Sequence, residues 1–248
     1  MTKISLVTPT RNRPNDLRRL LESIEATTKN KDEVEILFAY DKDDNVTREV
    51  IPSLIYNFPR LDIKWHEVER SDHFSKDYYN FLSLKAQGRW IMAINDDSVF
   101  MTPEWDRIID FKMSDAADKA KDDILLGIVQ DGMKRIGAEK LNPTMSCWLL
   151  SSKEYVTLMN GLLLEEIYTW GGDYWLGRVF CKVQYGQRKV YILDVFIDHN
   201  SHHLKDLPQP ESFWLFKRIE EDHPCTCNEE VVAIKAKFIN NYIAARKK

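Results

Sequence analysis

Four cysteines in 248 residues are too few for a disulfide framework. No apolar run approaches the ~20 residues a membrane-spanning helix needs. The opening MTKISLVTPTRNRP has an apolar stretch too short for a signal peptide and lacks a small-residue cleavage site. Charge of either sign is not in large excess. A net charge of −4 argues against a general nucleic-acid binder, because phosphate contacts need a basic surface. There is no internal repeat and no low-complexity tract. His223, Cys225 and Cys227 form HPCTC, but a zinc site would need further ligands at suitable spacing, so the segment reads as a polar loop with free thiols. These absences lead to the expectation of a cytoplasmic protein with reduced thiols, no transmembrane segment and no nucleic-acid partner.

With 44% hydrophobic and 30% charged residues, the chain is an ordinary globular one, long enough for one large domain or two small ones. Short apolar runs alternate with helical patterns along its first hundred residues. Ile4 to Val7 reads as a strand, ended by Thr8-Pro9-Thr10-Arg11-Asn12-Arg13-Pro14. Leu17, Leu20, Leu21 and Ile24 recur at helical spacing, with Pro14 suited to the first turn. Val34 to Tyr40 is a second strand, running into Asp41-Lys42-Asp43-Asp44-Asn45. Val46 to Tyr56 suggests a helix interrupted near Pro52, and Ile63 to Val68 a third strand. Ser75 to Ala86 suggests a helix closed by Gly88, before a strand from Trp90 to Ile94.

Continuous apolar strands with helical crossovers predict a mainly parallel sheet covered on both faces. Ligands of such sheets sit at the carboxyl ends of the strands. Here those ends read TPTRNRP, DKDDN and NDDS. The second half is less regular. A helix is expected around Trp105, Ile108 and Ile109, strands over Ile124 to Val129, Cys147 to Leu150 and Val190 to Ile197, and a helix over Ser151 to Leu164. Tyr168 to Trp175 is a glycine-hinged aromatic loop with one carboxylate, and Asp198-His199-Asn200-Ser201-His202-His203 follows the last strand. Residues 211 to 248 read as charged helices that could pack on the core, pair subunits or touch a membrane.

The stretch WIMAINDDSVF, residues 90 to 100, leaves a buried strand directly into adjacent carboxylates. Asp96 and Asp97 repel each other, and a hard cation such as Mg²⁺ or Mn²⁺, often shared with a diphosphate, would relieve that repulsion. Asp pairs are also common in turns and at helix starts, so the motif alone is weak.

The order of these segments resembles family 2 glycosyltransferases. Pro9-Thr10-Arg11-Asn12 stands for the loop after the first strand, and Asp41 ends the second. Asn80, Ala86, Gly88 and Asn95-Asp96-Asp97 match an N-x-x-x-x-x-A-x-G pattern followed by an apolar strand and a D-x-D-like motif. The resemblance covers residues 3 to 110 well and 145 to 203 loosely. It implies a GT-A fold, a Rossmann-like α/β architecture with a mixed, mainly parallel sheet flanked by helices, here with a C-terminal helical extension. The implied division is a catalytic domain over 1–205, with a nucleotide-binding half (1–100) and an acceptor-binding half (101–205), then an extension over 206–248.

The implied activity is inverting, metal-dependent transfer of a sugar from a nucleotide-diphosphate sugar to a glycan, lipid-linked or other hydroxyl acceptor. Thr8, Pro9, Arg11 and Asp41 would line the nucleoside pocket. Asn95 and Asp96 would face the donor, and Asp97, with His199, would hold Mn²⁺ or Mg²⁺. Asp173 would be the catalytic base, with Trp170, Tyr174 and Trp175 stacking on the acceptor. The chain departs from the family pattern at Asn95, at Tyr40 before Asp41, and in lacking Glu before Asp173. Read without the resemblance, Asp173 is equally a helix N-cap, His199, His202 and His203 a solvated turn, and the tryptophans core. A degenerate domain that binds nucleotide or sugar without turnover is the alternative function. A sugar nucleotidyltransferase is disfavoured because TPTRNRP has no glycine. A homo-oligomer is compatible with all of these.

Overall fold

The computed structural model describes residues 2–131, 148–168, 172–199 and 228–246. The expected GT-A-like α/β architecture is present. Strands β1 (Ile4–Thr10), β2 (Val34–Asp41), β3 (Asp62–Val68), β4 (Trp90–Ala93), β5 (Ser98–Phe100), β6 (Leu126–Asp131), β7 (Leu149–Ser152) and β8 (Lys189–His199) form one sheet in the order β3-β2-β1-β4-β7-β6-β8-β5. The first four strands run parallel. The β4–β7, β6–β7 and β5–β8 pairs are antiparallel, so the sheet is mixed.

The apolar runs are continuous because both faces of the sheet are covered. On one face Ile4, Leu6, Ile36 and Phe38 pack with Leu17, Leu20, Leu21 and Ile24 of α1 (Pro14–Thr27) and with Ile109 and Met113 of α4 (Trp105–Ala120). On the other, Val7, Leu37, Ala39 and Ile91 pack with Leu82 of α3 (Phe81–Lys85), Tyr155 of α5 (Lys153–Met159), Leu176 of α6 (Gly172–Lys182) and Ile239 of α7 (Glu229–Arg246).

Several elements differ from the sequence reading. Helix α2 (Asn45–Asn57) runs through Pro52 without interruption, capped by Asp44, which accepts the Thr47 N–H at 3.0 Å. Pro52 is exposed, so water can take the carbonyl its missing N–H leaves free. The helix expected over Ser151 to Leu164 is confined to α5. It stops at Asn160 and Gly161, whose φ angles are 58° and 155°. Ser75–Asn80 winds as a π-helical segment before α3. Of the C-terminal extension, α7 lies among the described residues.

Gly88 explains its own place in the motif. A Cβ there would lie 2.6 Å from Ser5 Oγ and 2.8 Å from the Ile4 carbonyl carbon. The chain entering β4 must pass this close to β1 because Gly88 N–H donates to Ser5 Oγ at 2.8 Å.

Candidate active site

Strand order reverses around β1: the chain passes from β1 to β2 on one side and returns from β3 to β4 on the other. The crevice at the carboxyl ends of β1 and β4 is therefore the switch point at which open α/β sheets bind ligands. Residues of the two loops meet across it. Thr10 Oγ1 donates to Asp96 Oδ2 at 2.9 Å, and Arg13 Nη1 donates to Asp96 Oδ1 at 2.8 Å. Asp96 is buried, and burial pushes its carboxyl up to about 6. The Arg13 charge opposes that rise and the Asp97 charge adds to it.

Asp97 is placed differently. Its Oδ1 is buried with no hydrogen-bond partner among the described residues. An orphaned carboxylate oxygen carries a large desolvation cost, which a hard cation would relieve. Asn95 is less suited to that task, since its Oδ1 accepts from the Tyr79 hydroxyl at 3.0 Å. Its backbone is fastened by Ser98: Asn95 N–H donates to Ser98 Oγ at 3.1 Å, and the Ser98 hydroxyl donates to the Asn95 carbonyl at 2.6 Å. Ser98 pairs in register with His199, so the end of β8 lies beside this loop. The side chain of His199 lies outside the described residues. No group of three or more His, Cys, Asp or Glu among the described residues is arranged to hold a metal unaided.

The second half of the site lies between β1 and β2. Arg11 Nη1 donates to Asp41 Oδ2 at 2.7 Å and to Asp43 Oδ1 at 2.5 Å, with Nη2 to Asp43 Oδ2 at 3.1 Å. Asn12 adopts a φ of 55°, and its N–H donates to Asp44 Oδ2 at 3.0 Å, which turns the first loop onto the acidic one. Asp41 is buried and also accepts from the Tyr78 hydroxyl. Burial, then that hydrogen bond, drives the Tyr78 phenol well above the usual tyrosine range, which keeps it a donor. Thr8 is wholly buried, and its hydroxyl bonds the Pro9 carbonyl at 3.1 Å.

The π-helical segment ties these parts together. Tyr78 reaches Asp41, Tyr79 reaches Asn95, and Asn80 clamps the chain before α6 by donating to the Leu163 carbonyl at 2.9 Å and accepting its N–H at 2.8 Å. Wide π turns recur at functional sites, and here the extra width directs successive tyrosines to opposite halves of one crevice. His73 stacks on Tyr168 at 3.9 Å between ring centroids, closing the same side.

Arg11, Asp41, Asn95, Asp96 and Asp97 are thus brought to one edge of the sheet. Trp170 lies outside the described residues. Asp173 falls in the first turn of α6, its side chain outside the described residues. Tyr174 is partly exposed and packs edge-on to Trp175 at 5.1 Å. The sequence reading missed Thr10, Asp43, Tyr78 and Tyr79. The adjacent tyrosines were a signal, because neighbours on a helix point about 100° apart and cannot share one core face. A wide groove of about 880 Å³ opens at the opposite, amino-terminal edge of the sheet. Its Lys3 is paired with Glu33 and Asp110, and none of the residues above lines it.

Residues 5–144 match the model of the family "Glycosyl transferase family 2", more than half of the chain. The chain belongs to that family. No curated protein matches the sequence. Among solved structures this family 2 glycosyltransferase is similar to S. aureus TarS 1-349 in complex with UDP (15% identity, TM-score 0.58, covering 98% of this chain and 72% of that one). It is similar to the mannosyltransferase PcManGT from Pyrobaculum calidifontis in complex with GDP-Man and Mn²⁺ (13%, 0.60, 98% and 75%). GalNAc-T7 with UDP, GalNAc and Mn²⁺ gives 13%, 0.59, 97% and 58%. At such identities the likeness is one of fold, and it is the GT-A fold. No helix among the described residues is long and apolar enough to cross a membrane.

Proposed function

We propose that this glycosyltransferase moves a sugar from a nucleoside-diphosphate donor to an acceptor hydroxyl by metal-dependent inverting displacement. The observation that carries the reading is the buried Oδ1 of Asp97, which has no hydrogen-bond partner among the described residues, at the switch point of the sheet. The nucleotides and Mn²⁺ bound by the similar structures support it. Thr8, Pro9, Arg11 and Asp41 would form the nucleoside side, with Asp43 and Tyr78 joining them. Arg13, Asn95 and Asp96 would lie along the ribose and diphosphate. Asp97 would hold Mn²⁺ or Mg²⁺, with His199 of the adjoining β8 end as a second ligand. When bound, the cation would offset the negative charge that gathers on the departing diphosphate.

Asp173 would accept the proton of the acceptor hydroxyl as its oxygen forms the new bond to the anomeric carbon and the bond to the diphosphate oxygen breaks. Trp170, Tyr174 and Trp175 would stack on the acceptor and keep out water, which would otherwise hydrolyse the donor. Residues 1–100 serve the nucleotide, 101–205 the acceptor, and 206–248 form the extension. The setting is the cytoplasm.

The test is a thermal-melt panel with UDP, GDP, CDP and dTDP, each with and without Mn²⁺, on wild type and Asp97→Ala. A nucleotide at ~100 times its dissociation constant adds ~2.7 kcal/mol. One nucleotide should shift the wild type when Mn²⁺ is present, and the Mn²⁺-dependent part should vanish in the variant. Unchanged affinity in Asp97→Ala would sink the metal assignment, and no shift with any nucleotide would sink the donor class.

A further inference from the structure

Asn95, Asp96 and Asp97 are consecutive, yet the fold gives each a different set of partners. Asn95 Oδ1 accepts from the Tyr79 hydroxyl at 3.0 Å. Asp96 Oδ1 accepts from Arg13 Nη1 at 2.8 Å, and Asp96 Oδ2 from Thr10 Oγ1 at 2.9 Å. Asp97 Oδ1 is buried and has no hydrogen-bond partner among the described residues. The contrast matters most at Asn95. An amide oxygen is a good ligand for a hard cation, whereas the amide nitrogen is a donor only. Which end of the amide faces the cation therefore decides whether residue 95 binds it.

Tyr79 holds that end. The Asn95 backbone is fixed by Ser98, whose Oγ accepts the Asn95 N–H at 3.1 Å. The Ser98 hydroxyl and N–H in turn donate to the Asn95 carbonyl, at 2.6 and 3.1 Å. What stays adjustable is rotation of the side chain, and the Tyr79 hydrogen bond pins it. Tyr79 is itself hard to move. Its ring packs against the core cluster on the α3 side of the sheet, and its hydroxyl lies 3.3 Å from the Ile94 carbonyl. Both of its neighbours are committed: Tyr78 donates to Asp41, and the Asn80 amide grips both backbone groups of Leu163. The wide winding of Ser75–Asn80 directs the residue between them to the end of β4.

We propose that Tyr79 is a positioning residue that keeps Asn95 Oδ1 off the cation, so that Asp97 is the one side chain of the run that binds it. The proposal rests on Asp97 as the cation ligand. Its chemical consequence is weak capture of the bare ion. A divalent cation with a single carboxylate from this run draws most of its other ligands from water and the diphosphate. Removing the Tyr79 hydroxyl frees the amide to rotate. Its oxygen then joins that of Asp97, and the cation binds more tightly. A residue that merely braced the loop would act in the opposite sense, because trimming a support around a metal site lowers affinity.

The test is a titration of Mn²⁺ alone onto the whole chain, followed by the electron paramagnetic resonance signal of the free ion. Tyr79→Phe should bind Mn²⁺ ~5-fold more tightly than the wild type. Asn95→Ala should bind it as the wild type does, and in the double variant the gain should vanish. Melting temperatures without ligand establish that each variant is folded, and Asn95→Ala keeps the proposal open to refutation should Tyr79→Phe not fold. Equal or weaker binding by Tyr79→Phe overturns the proposal. Weaker binding by Asn95→Ala also overturns it, since Asn95 would then be a ligand already. Either result leaves Asp97 in place as long as Asp97→Ala abolishes Mn²⁺ binding. If Asp97→Ala instead binds Mn²⁺ like the wild type, the metal assignment falls and takes this proposal with it.

Discussion

Arg13 lies 2.8 Å from Asp96 and thereby splits an adjacent carboxylate pair into members of different character. Asp96 is held by Arg13 and Thr10, while Asp97 keeps a buried oxygen without a hydrogen-bond partner among the described residues. Replacing Arg13 by Met should remove a charged hydrogen bond worth about 2 kcal/mol of stability. It should also free Asp96 to join Asp97, so that Mn²⁺ alone raises the melting temperature of the variant more than that of the wild type. Equal shifts in both would show that Asp96 takes no part in holding a cation.

Asp173→Asn isolates the proposed base. The variant should bind nucleotide and Mn²⁺ as the wild type does, and transfer sugar ~10²-fold more slowly or worse. Full activity would assign the proton to another group.

Glu35 is a pH-dependent contact far from the chemistry. It is wholly buried in β2 and accepts from Ser5 Oγ, Lys64 Nζ and Gln87 N–H, each at 2.5 Å. Burial alone would raise its pKa. The hydrogen bonds from Lys64, Ser5 and Gln87, with the lysine charge, outweigh burial and hold the carboxyl below its ordinary 4.5. A folded value below the unfolded one means the unfolded chain takes up the proton first as pH falls. The contribution is therefore present in full above 4.5 and is lost as pH drops through the folded value. Glu35→Gln should cost about 1–3 kcal/mol at neutral pH, measured by urea unfolding, and the difference from wild type should shrink below pH 4.5. A gap that stays constant into acid would disprove the linkage.

Gly88→Ala should be among the most damaging methyl additions in the chain. Its Cβ would fall within 2.8 Å of β1 backbone, which cannot step aside without breaking the β1–β4 ladder. A loss of about 3 kcal/mol is expected. Ala at this position with wild-type stability would mean that the β1–β4 approach is looser than described.

The parallel core was legible because its signals are local. Val34 to Tyr40 has to be buried on both faces to tolerate seven successive residues of that composition, and turn chemistry at TPTRNRP and DKDDN marks where the strands stop. The short β5 was not foreseen, since Ser98 to Phe100 becomes a strand by pairing with β8, nearly a hundred residues away. The abrupt end of α5 was equally hidden. Asn80 accepts the Leu163 N–H, and a Cβ at Gly161 would lie 2.3 Å from Asn80 Cγ, so the chain turns there through a contact across eighty residues of sequence.

The candidate site divides along the same line. Asp41, Asp96 and Asp97 could be found from sequence because a carboxylate at the end of a buried strand is costly and therefore conspicuous. Which of them has a partner could not be found that way. Arg11 reaching Asp41 and Asp43, Arg13 reaching Asp96, and the π-helical tyrosines reaching Asp41 and Asn95 are contacts between loops brought together by strand order. Hydrophobic periodicity determined the strands, the helices and the edge of the sheet where chemistry gathers. The packing of those elements decided which charges cancel and left Asp97 with a buried oxygen that has no hydrogen-bond partner among the described residues, because hydrogen bonds act over about 3 Å of space whatever the separation in sequence.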